Sequence, residues 1–447
     1  MTSSRETTCT FVPPYVLERL GASDALVADA AFRARREQAA AVRTARPEAG
    51  AAPGEPAWTV HTAGNREVLP GEPVRTPGTP ESGDAAVDEA AAGITATLEM
   101  FEQGLGRTSY DDAGAMVSIT VHYGRDYDNA FWDGTQLVFG DGDREVFERF
   151  TRPVDVLAHE FAHAVTEHTA ALVYRGQPGA LNESVSDVFA ICLKQRLLGQ
   201  DAATGSWLIG EELFTPAVRA RALRDMAAPG TAYDDPRLGR DPQPDHMDRY
   251  VETSEDNGGV HINSGIPNRA FHLAAVAIGG SSLEGAGRIW YAALTGGQVA
   301  ATADFADFAA ATVAAAGEHA VAVREAWGQV GVSVGAAVPA APSVEPALTE
   351  SPAAEPPVAA GHVVRVRRTG GFAGRTSEGA VDLTGDDPRA AAVADLVGRV
   401  DLRRVAPRTP MPDMFTYRFE IDGSSAEVCE PLPSDLAELA RLVLEER

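Results

Sequence analysis

Two histidines and a glutamate stand close together in the stretch VLAHEFAHAVTEH. His159 and His163 are four residues apart in a run without glycine or proline, so a helix would place both imidazoles on one face, about one turn apart. Two neutral imidazoles in that position can share a metal ion, and Glu160 could take a proton from a water molecule that the ion activates. The same pentapeptide, HEFAH, also occurs on ordinary helices, so the motif by itself leaves both interpretations open.

A further carboxylate follows at a spacing that suits a metal ligand. Glu183, in ALNESVSD, comes 20 residues after His163, which allows one helix to end, a loop to turn through RGQPG, and a second helix to return. Two histidines and a glutamate leave one coordination position open on zinc, which is the arrangement of a hydrolytic site. Asp187 lies one turn beyond Glu183 and could accept the second N–H of a ligand histidine, although an exposed helix carboxylate is the alternative.

Two other segments could act on a substrate. In DNGGVHINSG the glycines predict a tight turn that presents His261, with Asp256 near enough to hydrogen-bond it and raise its pKa. The resulting imidazolium could stabilise an oxyanion, although a histidine beside paired glycines is more often an ordinary loop residue. Asn129 and Ala130 could offer amide and carbonyl groups to an extended peptide, and a plain edge strand with a turn explains them equally well.

Composition limits the function classes. The 447 residues can form about two to four domains, 44% of the residues are hydrophobic, and no apolar run predicts a membrane span. A net charge of -26 argues against nucleic acid as a partner. Cys9, Cys192 and Cys429 are odd in number and far apart, which suits a reducing compartment. Residues 1–20 show no secretory signal pattern, so we expect a cytoplasmic protein, with export by a non-standard route as the remaining possibility.

The chain reads as several segments. Residues 1–56 contain a Pro-Pro-Tyr sequence, an amphipathic stretch and an Ala/Arg-rich helical stretch over residues 23–46, and they end in the breaker-rich PEAGAAPGEP. A helical arm packed on the next domain is one interpretation of this segment. Short strands such as TVHTA and AMVSITVHYG follow, together with a helix over residues 85–103.

The C-terminal part changes character. Residues 338–361 are rich in Ala, Pro and Glu without periodicity, which is typical of an extended linker. Residues 362–447 predict a small α+β domain, in which HVVRVRRTGGFAG, MFTYRFEI and AEVCEP alternate like strands. Residues 387–400 and 433–446 predict its helices.

In their order and spacing, HEFAH, NESVSD, NAFW and DNGGVHINSG resemble the thermolysin family of zinc metallopeptidases, over residues 58–334. The resemblance implies an α+β, two-lobed metallopeptidase with a cleft between the lobes. It implies a β-rich lobe over residues 57–175 that ends in the HExxH helix, and a helical lobe over residues 176–337. The implied zinc ligands are His159, His163 and Glu183, the general base is Glu160, the oxyanion donors are His261 and Tyr174, and Asp256 orients His261.

The same resemblance assigns residues to the substrate. Asn129 and Ala130 would bind its backbone, and Arg224 would bind the carbonyl on the leaving side. An apolar pocket would receive the residue after the scissile bond, so cleavage is expected before Leu, Phe, Ile or Val. The implied lining residues of that pocket are Val156, Phe147 and Leu223.

The sequence departs from thermolysin where thermolysin binds calcium. Asp155 and Glu211 remain, but Lys194, Ser206 and Leu208 stand at other positions of the paired site, and an ammonium group cannot ligate calcium. We therefore expect one catalytic Zn2+ and only weak support for Ca2+, with Lys194 pairing with Glu211 or Asp155 instead. Arg221 stands where a further site would need a carboxylate, so that site is expected to be absent.

Both ends of the chain carry more specific resemblances. CTFVPPYVLERL is similar to the short propeptide of the protealysin-like branch, which implies that residues 1–56 block the cleft and are removed on maturation. Cys9 could bind the zinc as a thiolate, although a buried apolar cysteine is the commoner case. RRTGGFAG and PDMFTYRFEI are similar to emfourin, a protein inhibitor of protealysin-like peptidases. The alternative for that domain is a substrate-binding or localisation module.

Two classes of function follow. The first is a zinc endopeptidase, expected to be monomeric, that cleaves peptide or protein substrates and is made latent by its propeptide and C-terminal domain. The second is a catalytically silent, zinc-stabilised protein that binds or inhibits other proteases through its C-terminal domain. Glu160 favours the first, because a decayed peptidase scaffold commonly loses its general base.

Overall fold

The computed structural model describes residues 10–22 and 57–334, and the strands and helices of a C-terminal domain between residues 363 and 444. The chain divides into two compact units, residues 1–341 and 342–447, and each is described by itself. This division falls inside the stretch that the sequence predicts as a linker. Cys9, the helix predicted over residues 23–46 and the linker itself lie outside the described residues.

The N-terminal segment at residues 10–22 packs on the first unit. Its helix α1 (Pro14–Leu20) begins at a proline, which costs no hydrogen bond in the first turn, and it ends at Gly21 in the left-handed region, with φ 70°. Burying an apolar side chain stabilises by about 1.5–3 kcal/mol, so several of them can hold this short segment in place. The fully buried apolar side chains of the segment are Phe11, Val12, Val16 and Leu17.

A five-stranded mixed sheet forms the first lobe. Its strands are β1 (Trp58–Arg66), β2 (Glu72–Arg75), β3 (Val117–Tyr123), β4 (Ala130–Trp132) and β5 (Leu137–Phe139). They lie in the order β2-β1-β3-β5-β4, with β1–β3 and β3–β5 parallel and the two outer pairs antiparallel. The short strand β4 is therefore an edge strand, and its free side can pair with another extended segment.

Two long helices pack on this sheet, and a third packs on the second of them. They are α2 (Ala85–Leu105), α3 (Val154–Glu167), which contains HEFAH, and α4 (Gly176–Leu198), which contains NESVSD. The ring of Phe101 in α2 packs 5.2 Å from Phe161 in α3 and 5.2 Å from Phe189 in α4. Every residue of α3 from 155 to 166 is buried, so packing on all sides fixes its rotation and the direction of its histidines.

The second lobe is mostly helical. Trp290 and Trp327 stack in its core with ring centroids 6.0 Å apart and an interplanar angle of 9°. Two short strand pairs connect it to α4 along the chain. The remaining elements are β6 (Leu208–Ile209), β7 (Arg224–Asp225), β8 (Asp234–Asp235), β9 (Gly239–Arg240), α5 (Asp256–Asn263), α6 (Gly265–Ile278), α7 (Arg288–Thr295), α8 (Phe305–Ala315) and α9 (Ala320–Gln329).

In its described residues, the C-terminal domain is an antiparallel sheet with two helices. Its elements are β10 (Val363–Gly370), β11 (Ser377–Asp382), α10 (Ala390–Val397), β12 (Phe415–Ile421), β13 (Ser424–Cys429) and α11 (Ser434–Leu444). The strands lie in the order β11-β10-β12-β13, and Val366, Phe419 and Leu439 are buried between sheet and helices. The sequence did not predict β11, because SEGAVD lacks the run of β-branched and aromatic residues that marks a strand.

The architecture agrees with the predicted fold class, an α+β catalytic unit of a sheet lobe and a helical lobe followed by a small α+β domain. The predicted strands TVHTA and AMVSITVHYG correspond to β1 and β3, and the predicted helix over residues 85–103 corresponds to α2. Among the residues that the structure describes, no helix is long and apolar enough to span a membrane.

Candidate metal centre

Three buried side chains from two helices converge on one point. His159 and His163 leave the same face of α3, and their Nε2 atoms are 2.9 Å apart. Glu183 reaches the same place from α4, with Oε2 3.5 Å from His159 Nε2 and Oε1 3.7 Å from His163 Nε2. The candidate ligand atoms of the three residues all lie within 4.8 Å of one another.

The hydrogen bonds behind the two imidazoles show whether they fit a metal ion. His159 Nδ1 lies 2.9 Å from Asp187 Oδ1, and His163 Nδ1 lies 2.8 Å from Asn182 Oδ1. Because a carboxylate and an amide oxygen can only accept, each Nδ1 carries a proton, which leaves the two Nε2 atoms as the ones able to bind a metal ion. Two Nε2 atoms and a carboxylate that meet at one point fit a divalent cation with nitrogen and oxygen ligands, such as zinc.

Asp187 connects this centre to two other elements. It accepts hydrogen bonds from Arg224 Nε at 2.8 Å and Nη2 at 2.7 Å, and from Asn268 Nδ2 at 2.8 Å. Burial alone would raise the pKa of Asp187, but the charge of Arg224 and the hydrogen bond to His159 lower it to about 2. Asp187 is therefore a charged, fully buried acceptor that fixes both His159 and Arg224.

Glu160 follows His159 on α3 and is completely buried. Burial raises the pKa of its carboxyl to about 7, although the neighbouring His159 opposes this shift. A carboxyl group with such a pKa can both accept and return a proton near neutral pH, which is what general acid–base catalysis requires.

The loop before His261 brings a third imidazole to the centre. Asn257, Gly258 and Gly259 have φ values of 54°, 82° and 76°, and this left-handed turn folds the chain back on Asp256. The Asp256 carboxylate then accepts from the backbone N–H of His261 at 2.9 Å and from its Nδ1 at 2.6 Å. A side chain at Gly259 would place Cβ 2.7 Å from Nδ2 of the Asn263 side chain, so glycine is required there.

His261 and Tyr174 both face the Glu183 carboxylate. His261 Nε2 lies 3.5 Å from Glu183 Oε1 and 3.2 Å from the Tyr174 hydroxyl, which donates to the same carboxylate oxygen. Burial lowers the pKa of His261, but the charges of Glu183 and Asp256 outweigh this and raise it to about 9. His261 is thus a charged donor at neutral pH.

The backbone of the N-terminal segment lies directly in this cleft. The N–H of Phe11 donates to the carbonyl of Ala130 in edge strand β4 at 3.0 Å. Asn129 binds Val12 twice, because its Oδ1 accepts from the Val12 N–H at 2.8 Å and its Nδ2 donates to the Val12 carbonyl at 3.2 Å. Arg224 Nη1 donates to the carbonyl of Phe11 at 3.3 Å.

The ring of Phe11 fills a pocket beside the metal centre. It meets His159 edge to face at 5.1 Å, and the guanidinium of Arg224 lies 4.8 Å above it. A Cβ added to Gly210 would contact both the Phe11 ring and Leu223 at 3.4 Å, so these residues border the pocket. The other predicted lining residues, Val156 and Phe147, are fully buried, and the ring of Phe147 packs against Phe150 and Phe214.

The site also contains residues that the sequence did not single out. Asn182 and Asn268 hold His163 and Asp187, and Gly210 leaves room for the Phe11 ring. The sequence offers a weak indication that Asn268 has a role, because it is a polar residue in the largely apolar helix sequence GIPNRAFHLAAVAI. Asn182 is the first residue of NESVSD, and neither its type nor its spacing predicts a contact with His163.

A lysine stands between carboxylates at the positions that resemble a calcium site. Lys194 Nζ lies 3.3 Å from Asp155 Oδ2 and 3.0 Å from Glu211 Oε2, and it donates to the carbonyl of Leu208 at 2.8 Å. Burial lowers the pKa of Lys194, but Asp155 and Glu211 outweigh this and raise it. Arg221 pairs with Asp225 at 2.7 Å.

The site combines a buried carboxyl with a pKa near 7, two imidazoles with facing Nε2 atoms and a glutamate from the next helix. These are the components of an HExxH-type metallopeptidase centre. Comparison with known protein families supports this class of site. Residues 72–167 match the catalytic domain of thermolysin metallopeptidase, residues 170–332 match its alpha-helical domain, and residues 366–444 match emfourin.

The chain belongs to the thermolysin family of metallopeptidases. The extracellular metalloprotease of Pectobacterium carotovorum subsp. carotovorum is 46% identical over 339 residues, which is 73% of this chain and 97% of that protein. A thermolysin of Alicyclobacillus acidocaldarius subsp. acidocaldarius is 37% identical over 285 residues, or 60% of this chain and 50% of that protein. The solved structure of the precursor of protealysin, a metalloproteinase from Serratia proteamaculans, is similar with a TM-score of 0.65 and 45% identity, covering 73% of this chain and 100% of that one.

These findings confirm the family, the protealysin-like branch, the emfourin domain and the fold class that the sequence predicted. The protein is a zinc metalloendopeptidase made as a precursor, in a family whose catalysis depends on zinc. The roles of the individual site residues remain predictions.

The predicted cytoplasmic location is wrong, because the Pectobacterium relative is an extracellular metalloprotease. The prediction rested partly on cysteines that suit a reducing compartment. Cys192 is fully buried, and burial raises the pKa of its thiol to about 12. A thiol that is neither exposed nor ionised is inert in either compartment, so it carries no information on location.

We predict that Asp187→Asn lowers the zinc affinity of the full chain by about 10–100-fold, because the amide no longer holds the His159 imidazole by charge. It also leaves the Arg224 guanidinium unpaired, which costs about 3–5 kcal/mol of folding stability. Zinc content after dialysis against a competing chelator and the melting temperature measure the two effects. Glu318→Gln, a change at a side chain that is 90% exposed, is the control and should alter neither. Unchanged zinc affinity in a folded Asp187 variant would show that Asp187 does not hold His159 for zinc binding.

Proposed function

We propose that the chain hydrolyses peptide bonds on the amino side of hydrophobic residues, with one zinc ion held by His159, His163 and Glu183. The main support is the 2.9 Å distance between His159 Nε2 and His163 Nε2 beside a buried carboxylate. The cleft around them already holds a peptide backbone. When bound, zinc supplies Lewis-acid polarisation of a carbonyl and acidifies water. The open coordination position of such a ligand set is suited to that chemistry.

In this proposal Glu160 accepts the proton of the attacking water and returns it to the leaving nitrogen. Its pKa of about 7 supports both steps. His261 and Tyr174 donate hydrogen bonds to the oxygen that becomes negative, and Asp256 keeps His261 oriented and charged. The support for His261 is its Nε2, which lies 2.9 Å from a peptide carbonyl oxygen, that of Thr10.

Substrate binding would follow the contacts of the N-terminal segment. A substrate residue in the position of Phe11 would donate its N–H to Ala130 at the edge of the sheet and accept from Arg224 at its carbonyl, and Asn129 would hold the residue after it. The residue after the cleaved bond would enter the pocket of Phe11, with Leu223, Val156 and Phe147 forming its apolar surroundings. Hydrophobic residues at that position are therefore preferred.

Latency would have two sources within the chain. Residues 1–56 act as a propeptide, since their described part occupies the cleft through Phe11 and Val12, and maturation removes them. Residues 362–447 act as an emfourin-like inhibitor on a linker over residues 338–361, which raises its effective concentration at a cleft to the millimolar range. The active enzyme acts as a monomer on peptide or protein substrates, with residues 57–175 and 176–337 as its two lobes.

We expect Glu160→Gln to lower peptide hydrolysis by at least about 10²–10⁴-fold, because the amide cannot accept a proton. The substitution keeps the shape of the side chain and leaves the three proposed ligands in place. Cleavage of a quenched fluorescent peptide and zinc content, measured on the same sample, check the two statements. Residual activity near the parent level in zinc-loaded protein would rule out Glu160 as the base.

Ending the chain at Ala341 leaves the first compact unit intact and removes the inhibitor-like domain. We expect the steady-state rate of peptide cleavage by the matured enzyme to rise at least about tenfold, because an inhibitor at millimolar effective concentration is lost. The full chain after the same maturation is the reference. Equal rates would show that residues 342–447 do not inhibit in the full chain and would favour a binding or localisation module.

We also propose that the Lys194 ammonium takes the place of calcium between Asp155 and Glu211. Added calcium should then leave the melting temperature of the parent chain unchanged, because the carboxylates are already neutralised. Lys194→Met should destabilise it by about 3 kcal/mol, since the buried Asp155 loses its partner. A calcium-dependent rise in the melting temperature of the parent chain would contradict the proposal.

A further inference from the structure

The N-terminal segment lies in the cleft in one direction and one register. The carbonyl oxygen of Thr10 is 2.9 Å from His261 Nε2, and the N–H of the next residue, Phe11, donates to Ala130. The carbonyl of Phe11 then accepts from Arg224. The peptide bond between Thr10 and Phe11 is thus held on one side by a cationic donor at its oxygen and on the other by a backbone acceptor at its nitrogen.

This register is the one that the proposed function assigns to a substrate, on which the present inference rests. The His261 imidazolium is the proposed donor to the carbonyl under attack, and the carbonyl it meets is that of Thr10. The pocket beside His159 is the proposed site for the residue after the cleaved bond, and Phe11 occupies it. An inhibitory segment needs only to fill the cleft, whereas this one also presents a bond at the position where hydrolysis would occur.

We propose that the Thr10–Phe11 peptide bond is a processing site that the chain cleaves in itself. The water oxygen bonds to the carbonyl carbon of Thr10 as the C–N bond breaks. One water proton passes through Glu160 to the nitrogen of Phe11, and the other leaves the new Thr10 carboxyl group and is taken up by the released amine. The products are a Thr10 carboxylate, which ends a released peptide of residues 1–10, and a new α-amino group on Phe11.

The new N-terminus stays in the cleft after this cut. Val12 keeps both hydrogen bonds to Asn129, and Val16 and Leu17 of α1 stay buried. Arg19 Nη1 also donates to the carbonyl of Leu238 at 3.0 Å. Thr10 loses its covalent link to these anchors. The first cut therefore converts a bound substrate into a retained product, and the enzyme stays latent until a second cut separates residues 11–56 from the lobes.

The proposal is tested on the full chain, supplied with zinc, by intact mass and N-terminal sequencing over time. We expect loss of the mass of residues 1–10, a new N-terminus that reads Phe-Val-Pro-Pro-Tyr, and a rate constant that does not change over about a hundredfold range of protein concentration. Phe11→Ala should slow this cut by about 10–100-fold, because the pocket contact is lost. Glu18→Gln, an exposed change on α1, is the matched control and should leave the rate unchanged.

A second measurement does not depend on activity. In metal-free Glu160→Gln chain, hydrogen exchange should show protected amides at Phe11 and Val12, which donate to Ala130 and Asn129, and Phe11→Ala in the same background should lose that protection. Unprotected amides in the first variant would overturn the register.

Separate outcomes distinguish this proposal from the proposed function. An intact Thr10–Phe11 bond in a chain that cleaves added casein would overturn only the processing site. A rate that rises with protein concentration would overturn cleavage of the chain by itself. If zinc-loaded chain cleaves neither casein nor this bond after residues 1–56 are removed by an added protease, the proposed function fails together with the processing site.

Discussion

The centre depends on a buried ion pair between Asp187 and Arg224. Asp187 accepts two hydrogen bonds from Arg224, one from His159 and one from Asn268, so a single carboxylate ties α3, α4, β7 and α6 together. Such a charge inside the protein is tolerated only because every one of these donors is present. In the proposed function the same pair orients the zinc ligand His159 with one end and the substrate-binding Arg224 guanidinium with the other, so the metal centre and the peptide cleft share one set of contacts.

The second constraint is the free edge of the sheet. β4 has a partner on one side only, and its other side carries the Ala130 carbonyl that the N-terminal segment uses. An unpaired edge is a general liability, and a protease turns it into a substrate-binding device. Phe11 and Val12 cover this edge through Ala130 and Asn129. In the proposed function, latency and substrate recognition use the same groups, so a short segment can block the site.

A side chain takes the place of an ion in the proposal for Lys194. The Lys194 ammonium lies between Asp155 and Glu211, and its stem is attached to α4, which also carries Glu183 and Asp187. A covalently attached cation cannot be removed by chelation, so under this proposal the stability of this part of the fold is independent of calcium concentration. The proposed zinc centre, in contrast, brings the Nε2 atoms of His159 and His163 to 2.9 Å from each other beside the Glu183 carboxylate, and its ligands suit an ion that can be removed.

Several features were determined by the sequence alone, because they depend on spacing within one helix or one turn. The four-residue separation of His159 and His163 and the similar separation of Glu183 and Asp187 place each pair on one face of a helix, whatever surrounds it. The paired glycines before His261 likewise require a left-handed turn.

The tertiary structure decided which residues meet across long separations in the chain. These pairs are Thr10 with His261, Arg224 with Asp187, Lys194 with Asp155, and Asn268 with Asp187. No local periodicity encodes such contacts, because they form only when helices and strands that are far apart in the chain pack against one another and share a buried, low-dielectric interior.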